Sequence, residues 1–68
     1  MDIRLYTRVI IRKHGKYLTG YGKWFARWSE SPYDAWYTRD KELAERIARK
    51  CGGVMILFNP VAGQMKII

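Results

Sequence analysis

The chain holds a single cysteine, Cys51, and a single histidine, His14, among its 68 residues. One cysteine forms no internal disulfide, which suits a reducing compartment and predicts a cytoplasmic protein. One imidazole and one thiol fall short of the roughly four ligands of a zinc site, so no metal is expected. A thiol or hydroxyl nucleophile needs a base oriented by a third group, and no spacing couples His14 to Cys51. Neither an enzyme nor a bound cofactor is predicted. Phosphate-loop spacing fails as well: "GKYLTGYG" offers Tyr21 where lysine is required, and Phe25 stands where a dinucleotide fingerprint needs its last glycine.

Long apolar runs are missing too. The longest, "VMILF", is far below the roughly 20 residues that cross a bilayer, and "MDIRLYTR" has no apolar leader core. A soluble, unprocessed chain without a membrane role is expected. Acids are scarce, six against thirteen Lys and Arg, for a net charge of +7. Residues 1 to 28 hold seven bases against Asp2 alone, or +6, and residues 29 to 68 hold six bases against five acids, or +1. A field so concentrated in the amino-terminal part attracts polyanions.

What is abundant is apolar and aromatic: 49% hydrophobic and 15% aromatic residues, too much for a disordered tail. A single small domain over residues 1 to 68 is predicted, of modest stability because a short chain buries a smaller share of its surface.

"DIRLYTRVIIRK" alternates, with Ile3, Leu5, Val9 and Ile11 on one face and Arg4, Tyr6, Arg8 and Arg12 on the other; Thr7 and Ile10 break the pattern. Alternation of this kind predicts a half-buried strand, with successive arginines about 13 Å apart in one row. His14-Gly15 reads as a two-residue hairpin loop, placing Arg12 opposite Tyr17 and Ile11 opposite Leu18. "GYG" at 20 to 22 reads as a three-residue loop pairing Leu18 with Trp24 and Tyr17 with Phe25. That register sends Trp24, Ala26 and Trp28 to the core and keeps Phe25 and Arg27 outside; a two-residue loop would bury Arg27 unpaired.

"SESPYD" is turn chemistry, and "AWYT" is a short strand or an approach to a helix. In "TRDKELAERIARKCGG", Leu43, Ala44, Ile47, Ala48 and Cys51 follow helical spacing, Thr38 or Asp40 can cap the start, and Gly52 can end it. Glu42 with Arg46 and Glu45 with Arg49 are favourable four-apart pairs. Cys51 lies on the apolar stripe as a small core residue. "GGVMILFNP" reads as a buried strand and "NPVAGQMKII" as a turn with a last short strand, in which Met65, Ile67 and Ile68 can complete the sheet or pair across a dimer. The expected fold is α+β: an antiparallel sheet of three to five strands packed on one helix, in the order strand-strand-strand-helix-strand(-strand).

Two rings, Tyr17 and Phe25, then share the face opposite the helix with Arg8, Arg12 and Arg27. A solvated face with scattered rings is the plain interpretation. The functional one is a platform on which cations neutralise phosphates or read guanine edges while rings stack on unpaired bases. The helix carries Arg39, Lys41, Arg46, Arg49 and Lys50, but Glu42 and Glu45 among them make it a salt-bridged solvent face.

Three strands and a helix, with bases and rings on "RVIIRKHGKYL" and "KWFARW", resemble AP2-type domains and the arm-binding amino-terminal domains of phage and transposon integrases. The resemblance covers roughly residues 3 to 51 and implies a sheet laid in a DNA major groove. The terminal "GGVMILFNPVAGQMKII" departs from that pattern and is more similar to small uncharacterised bacterial and phage domains of strand, strand, strand, helix, strand order. The expected function is a basic nucleic-acid-binding module of phage or mobile-element type, with DNA ahead of RNA. It would use an open sheet face bearing Arg4, Arg8, Arg12, Tyr17, Lys23, Phe25 and Arg27. The alternative is a small protein-binding factor, such as a phage-encoded, anti-CRISPR-like inhibitor of a host or defence protein. At +7 it would dock on an acidic protein or a ribonucleoprotein.

Overall fold

The computed structural model describes residues 7 to 68; the amino-terminal half of the predicted first strand, with Arg4, lies outside the described residues. Five strands form one antiparallel sheet: β1 (Arg8–Lys13), β2 (Lys16–Tyr21), β3 (Ala26–Ser29), β4 (Val54–Asn59) and β5 (Gln64–Ile67). A 3-10 turn (Pro32–Asp34) and helix α1 (Lys41–Cys51) separate β3 from β4. The spatial order β3-β2-β1-β4-β5 puts β1 at the centre and the two shortest strands at the edges. This is the expected α+β order, with the last strand present.

The first hairpin forms as its sequence predicts. His14 and Gly15 both take positive φ, 52° and 75°, the geometry whose twist matches the flanking strands, and Arg12 pairs with Tyr17. Farther from the turn the two strands part. Val9 exchanges backbone hydrogen bonds with Thr38 (2.9 and 3.1 Å), and the Leu18 carbonyl accepts from the Trp36 amide (2.8 Å). The connection before the helix therefore supplies hydrogen-bond partners to both strands where they no longer pair with each other.

The second hairpin differs from its predicted register. Tyr17 pairs with Ser29, Leu18 with Trp28, Gly20 with Arg27 and Tyr21 with Ala26, with a shift between Leu18 and Gly20. The turn spans residues 22 to 25 and is closed by the Gly22 amide donating to the Phe25 carbonyl (2.9 Å). The four-residue turn alone would turn Arg27 inward; the extra residue in β2 moves the pairing by one and keeps Trp28 on the core side instead. Trp28 packs on the helix side as expected, but Trp24 is 87% exposed and Ala26 is also exposed. The bulge solves the problem that the three-residue loop was chosen to solve, since Arg27 still points to solvent.

Asp40 caps α1, its Oδ1 accepting from the Glu42 and Leu43 amides at 3.1 and 3.2 Å, while Thr38 Oγ1 accepts from the Asp40 amide. Gly52 ends the helix at φ 74°. Lys13 Nζ donates to the Cys51 carbonyl at 2.9 Å, giving a free helix-end acceptor a cationic partner. Gly53 must stay glycine for another reason: a Cβ there would lie 2.8 Å from Ile11 Cγ2 and 2.9 Å from the Arg12 carbonyl.

Ile11, Leu18, Ile47 and Ala48 form the core under the helix, joined by Trp28, Trp36, Leu43, Cys51 and Met55. A second core occupies the other face: Ile10, Tyr17, Ala35, Ile56 and Phe58. The Tyr33 ring meets Phe58 edge-on at 5.2 Å, and Tyr17 Oη reaches Met65 Sδ at 3.5 Å. The face opposite the helix is thus closed at its centre and open only around it. No helix among the described residues is long and apolar enough to cross a membrane.

Replacing Asp40 by Ala should lower unfolding stability by about 1 kcal/mol, and Phe58→Ala by about 3–5 kcal/mol, enough to unfold much of so small a domain. Urea midpoints at constant slope check both. A Phe58→Ala loss below that of Asp40→Ala would show that the second core carries little.

Candidate nucleic-acid interface

Strand alternation decides where the basic residues go. Ile11, Leu18 and Trp28 belong to the helix-side core, so their neighbours Arg12, Tyr17 and Arg27 project to the other face, together with Arg8. Arg8, Arg12 and Arg27 therefore share one side of the sheet. Arg8 is half-buried with Phe58 as its ladder partner, and Arg12 is exposed between Tyr17 and Val54.

Each basic side chain of this group lies over a ring. The guanidinium of Arg8 is 4.1 Å from the centre of Tyr37, that of Arg12 is 6.0 Å from Tyr17, and that of Arg27 is 5.5 Å from Phe25. Lys23 Nζ is 5.3 Å from the centre of Trp24. Among the described residues the ion pair formed is Glu45–Arg49 on the outer face of α1, at 2.7 Å. A ring attracts a cation without cancelling its charge. These four basic groups are held in place yet keep their full formal charge toward solvent.

The rings themselves divide. Tyr17 is 6% exposed and forms part of the second core, so its faces are not open to a base. Burial removes it from the stacking role that its register suggested. Phe25 is 56% exposed and sits in the turn, against the backbone of Gly22, where a Cβ would fall 2.5 Å from the ring. Arg4 lies outside the described residues. Arg8, Arg12 and Arg27 share a face, whereas Lys23 and Phe25 belong to the turn beyond it.

Three contributors were not legible as such. Trp24 is the most exposed ring among the described residues and stands beside Lys23. Tyr37 holds Arg8, and Tyr21 meets Trp36 edge-on at 5.3 Å while remaining 40% exposed. The signal for Trp24 was present in "GYGKWFA": reading the turn as residues 22 to 25 puts Lys-Trp at its apex. Among the described residues no group of three His, Cys, Asp or Glu side chains could hold a metal ion. No family model matches the sequence, and comparison with curated proteins and with solved structures finds no similar chain.

Gly22→Ala should rotate the Phe25 ring off the turn backbone and away from Arg27. The measurement is the set of Phe25 ring and Gly20–Ala26 amide NMR shifts, with the Leu18–Trp28 pairing unchanged. Unaltered Phe25 shifts would show that the ring is not held by the missing Cβ.

Proposed function

We propose that the chain is a small nucleic-acid-binding module whose contact surface is the rim of the non-helix face, Arg8, Arg12 and Arg27, continued into Lys23 of the β2–β3 turn. The observation that carries this reading is the placement of these four cations over rings rather than carboxylates. A structural role would neutralise them locally. An uncancelled row with β1 spacing of about 13 Å between Arg8 and Arg12 matches contacts to well-separated phosphates. The expected partner chemistry is the phosphate backbone, with arginine available to guanine edges. The buried centre of the face argues for rim contacts in place of a flat platform.

Retention on an immobilised duplex and an immobilised single strand tests the reading. Affinity should fall steeply between about 50 and 200 mM salt, and Arg8→Ala with Arg12→Ala should flatten the salt slope by about one unit per arginine. Salt-independent retention, or none on either probe, rejects it.

One observation favours protein association as a second reading. β5 is an edge strand whose four residues are all exposed, with Met65, Ile67 and the adjacent Ile68 among the exposed apolar side chains and only Lys66 to guard it. The opposite edge, β3, carries Arg27 and is protected by its charge. Strand addition at β5, by an acidic partner or a second copy, would appear as a nuclease-resistant stoichiometric complex that Ile67→Lys abolishes.

A further inference from the structure

Among the described residues, the β2–β3 turn holds the densest group of exposed rings. Tyr21, Trp24 and Phe25 lie within five positions, and Trp24 buries almost none of its surface. In a domain short of core, an indole left 87% exposed forgoes the burial that its size offers. Beneath the tip is an open cleft of about 280 Å³, lined on one side by residues 21 to 26 and on the other by Ile47, Lys50 and Cys51 of the last helical turns. Its charged lining residues are Lys23 and Lys50, with no acid among them. The helix C-terminus would ordinarily repel an anion, but Lys13 on the Cys51 carbonyl offsets it.

A concave site with ring walls and cationic edges fits a flat, anionic ligand. We propose that this tip and the cleft beneath it bind single-stranded nucleic acid, an unstacked base lying on Trp24 or Phe25 and its flanking phosphates on Lys23 and Lys50. The proposal rests on the nucleic-acid reading and adds strand selectivity to it. Bases inside a duplex are already stacked and present only their edges, so exposed ring faces contribute chiefly when the base is free. Lys23 over Trp24 sits where it can meet a phosphate of a stacked nucleotide. Phe25 is preorganised by its seat on Gly22. A bilayer surface would engage the Trp24 apex alone and leave the Lys50 side of the cleft unused.

Fluorescence anisotropy of the full chain with a labelled oligothymidylate, a duplex of equal length and vesicles of mixed phosphatidylserine and phosphatidylcholine tests this. Trp24→Ala should weaken single-strand binding by about tenfold and duplex binding by less than about twofold, while Trp24→Phe retains single-strand affinity within about threefold. Circular dichroism confirms folding, which substitution of so exposed a residue should leave intact. Equal loss on both nucleic acids, or no loss on either, overturns the strand-selective site. If salt-sensitive duplex binding persists in that case, the broader reading stands. Absence of binding to both nucleic acids removes the two together, and vesicle binding that alone depends on Trp24 reassigns the tip to a membrane surface.

Discussion

Three consecutive residues of β1, Val9, Ile10 and Ile11, are buried, and the rest of the structure follows from that. Side chains alternate along a strand, so a buried run requires cover on both faces. One helix covers one face only. The chain meets the second demand without another helix, by turning Tyr17 inward from β2, bringing Ala35 and Tyr33 over the sheet, and setting Ile56 and Phe58 beside Ile10 from β4. The same demand accounts for the parted first hairpin. The segment that carries Ala35 to Ile10 has to run along β1 and β2, and its hydrogen bonds to Val9 and Leu18 satisfy backbone groups that burial would otherwise leave unpaired.

That solution reshapes the electrostatics. Cations of β1 lie beside rings of neighbouring segments, so when a ring is drawn into the second core its neighbouring base stays at the perimeter. Arg12 beside buried Tyr17 and Arg8 on exposed Tyr37 show the two outcomes. Two of the acids are meanwhile committed to the helix: Asp40 to the cap and Glu45 to Arg49. Positive charge thus remains concentrated at the rim of one face, where its field extends over roughly a Debye length, about 8–10 Å at physiological salt.

Legibility followed the locality of the interaction. The α1 cap at Asp40, its end at Gly52, the His14-Gly15 turn and the Arg12–Tyr17 pair each depend on residues close in sequence, and each was readable. The second hairpin was not: the bulge lies between Leu18 and Gly20, and Gly20, which can mark a bulge, reads equally well as the start of the "GYG" turn. Ile10 was an instructive failure: it appeared as a flaw in the alternation of one strand, and it was the sign of a second core. The candidate site shows the same division. The side on which Arg8, Arg12 and Arg27 lie came from period-two counting, but whether Tyr17 would be covered depended on Ala35 and Phe58, far away in sequence.

The contrast between Tyr17 and Trp24 also separates packing from recognition. Both rings belong to the same hairpin and both lie near a basic side chain. Tyr17 surrenders nearly all its surface to the second core, where its hydroxyl still finds Met65. Trp24, a larger ring with more to gain from burial, stays outside although the cleft beside it is lined by Ile47 and Cys51 and has room for apolar contact. Folding alone would favour collapse of the indole into that space, since covering an aromatic side chain stabilises a domain by about 1.5–3 kcal/mol. The tip keeps it open through a turn whose backbone contact is made by Phe25 on Gly22, leaving Trp24 at the apex with Lys23 alongside. An open cleft beside an exposed indole is the geometry that the proposed single-strand site requires.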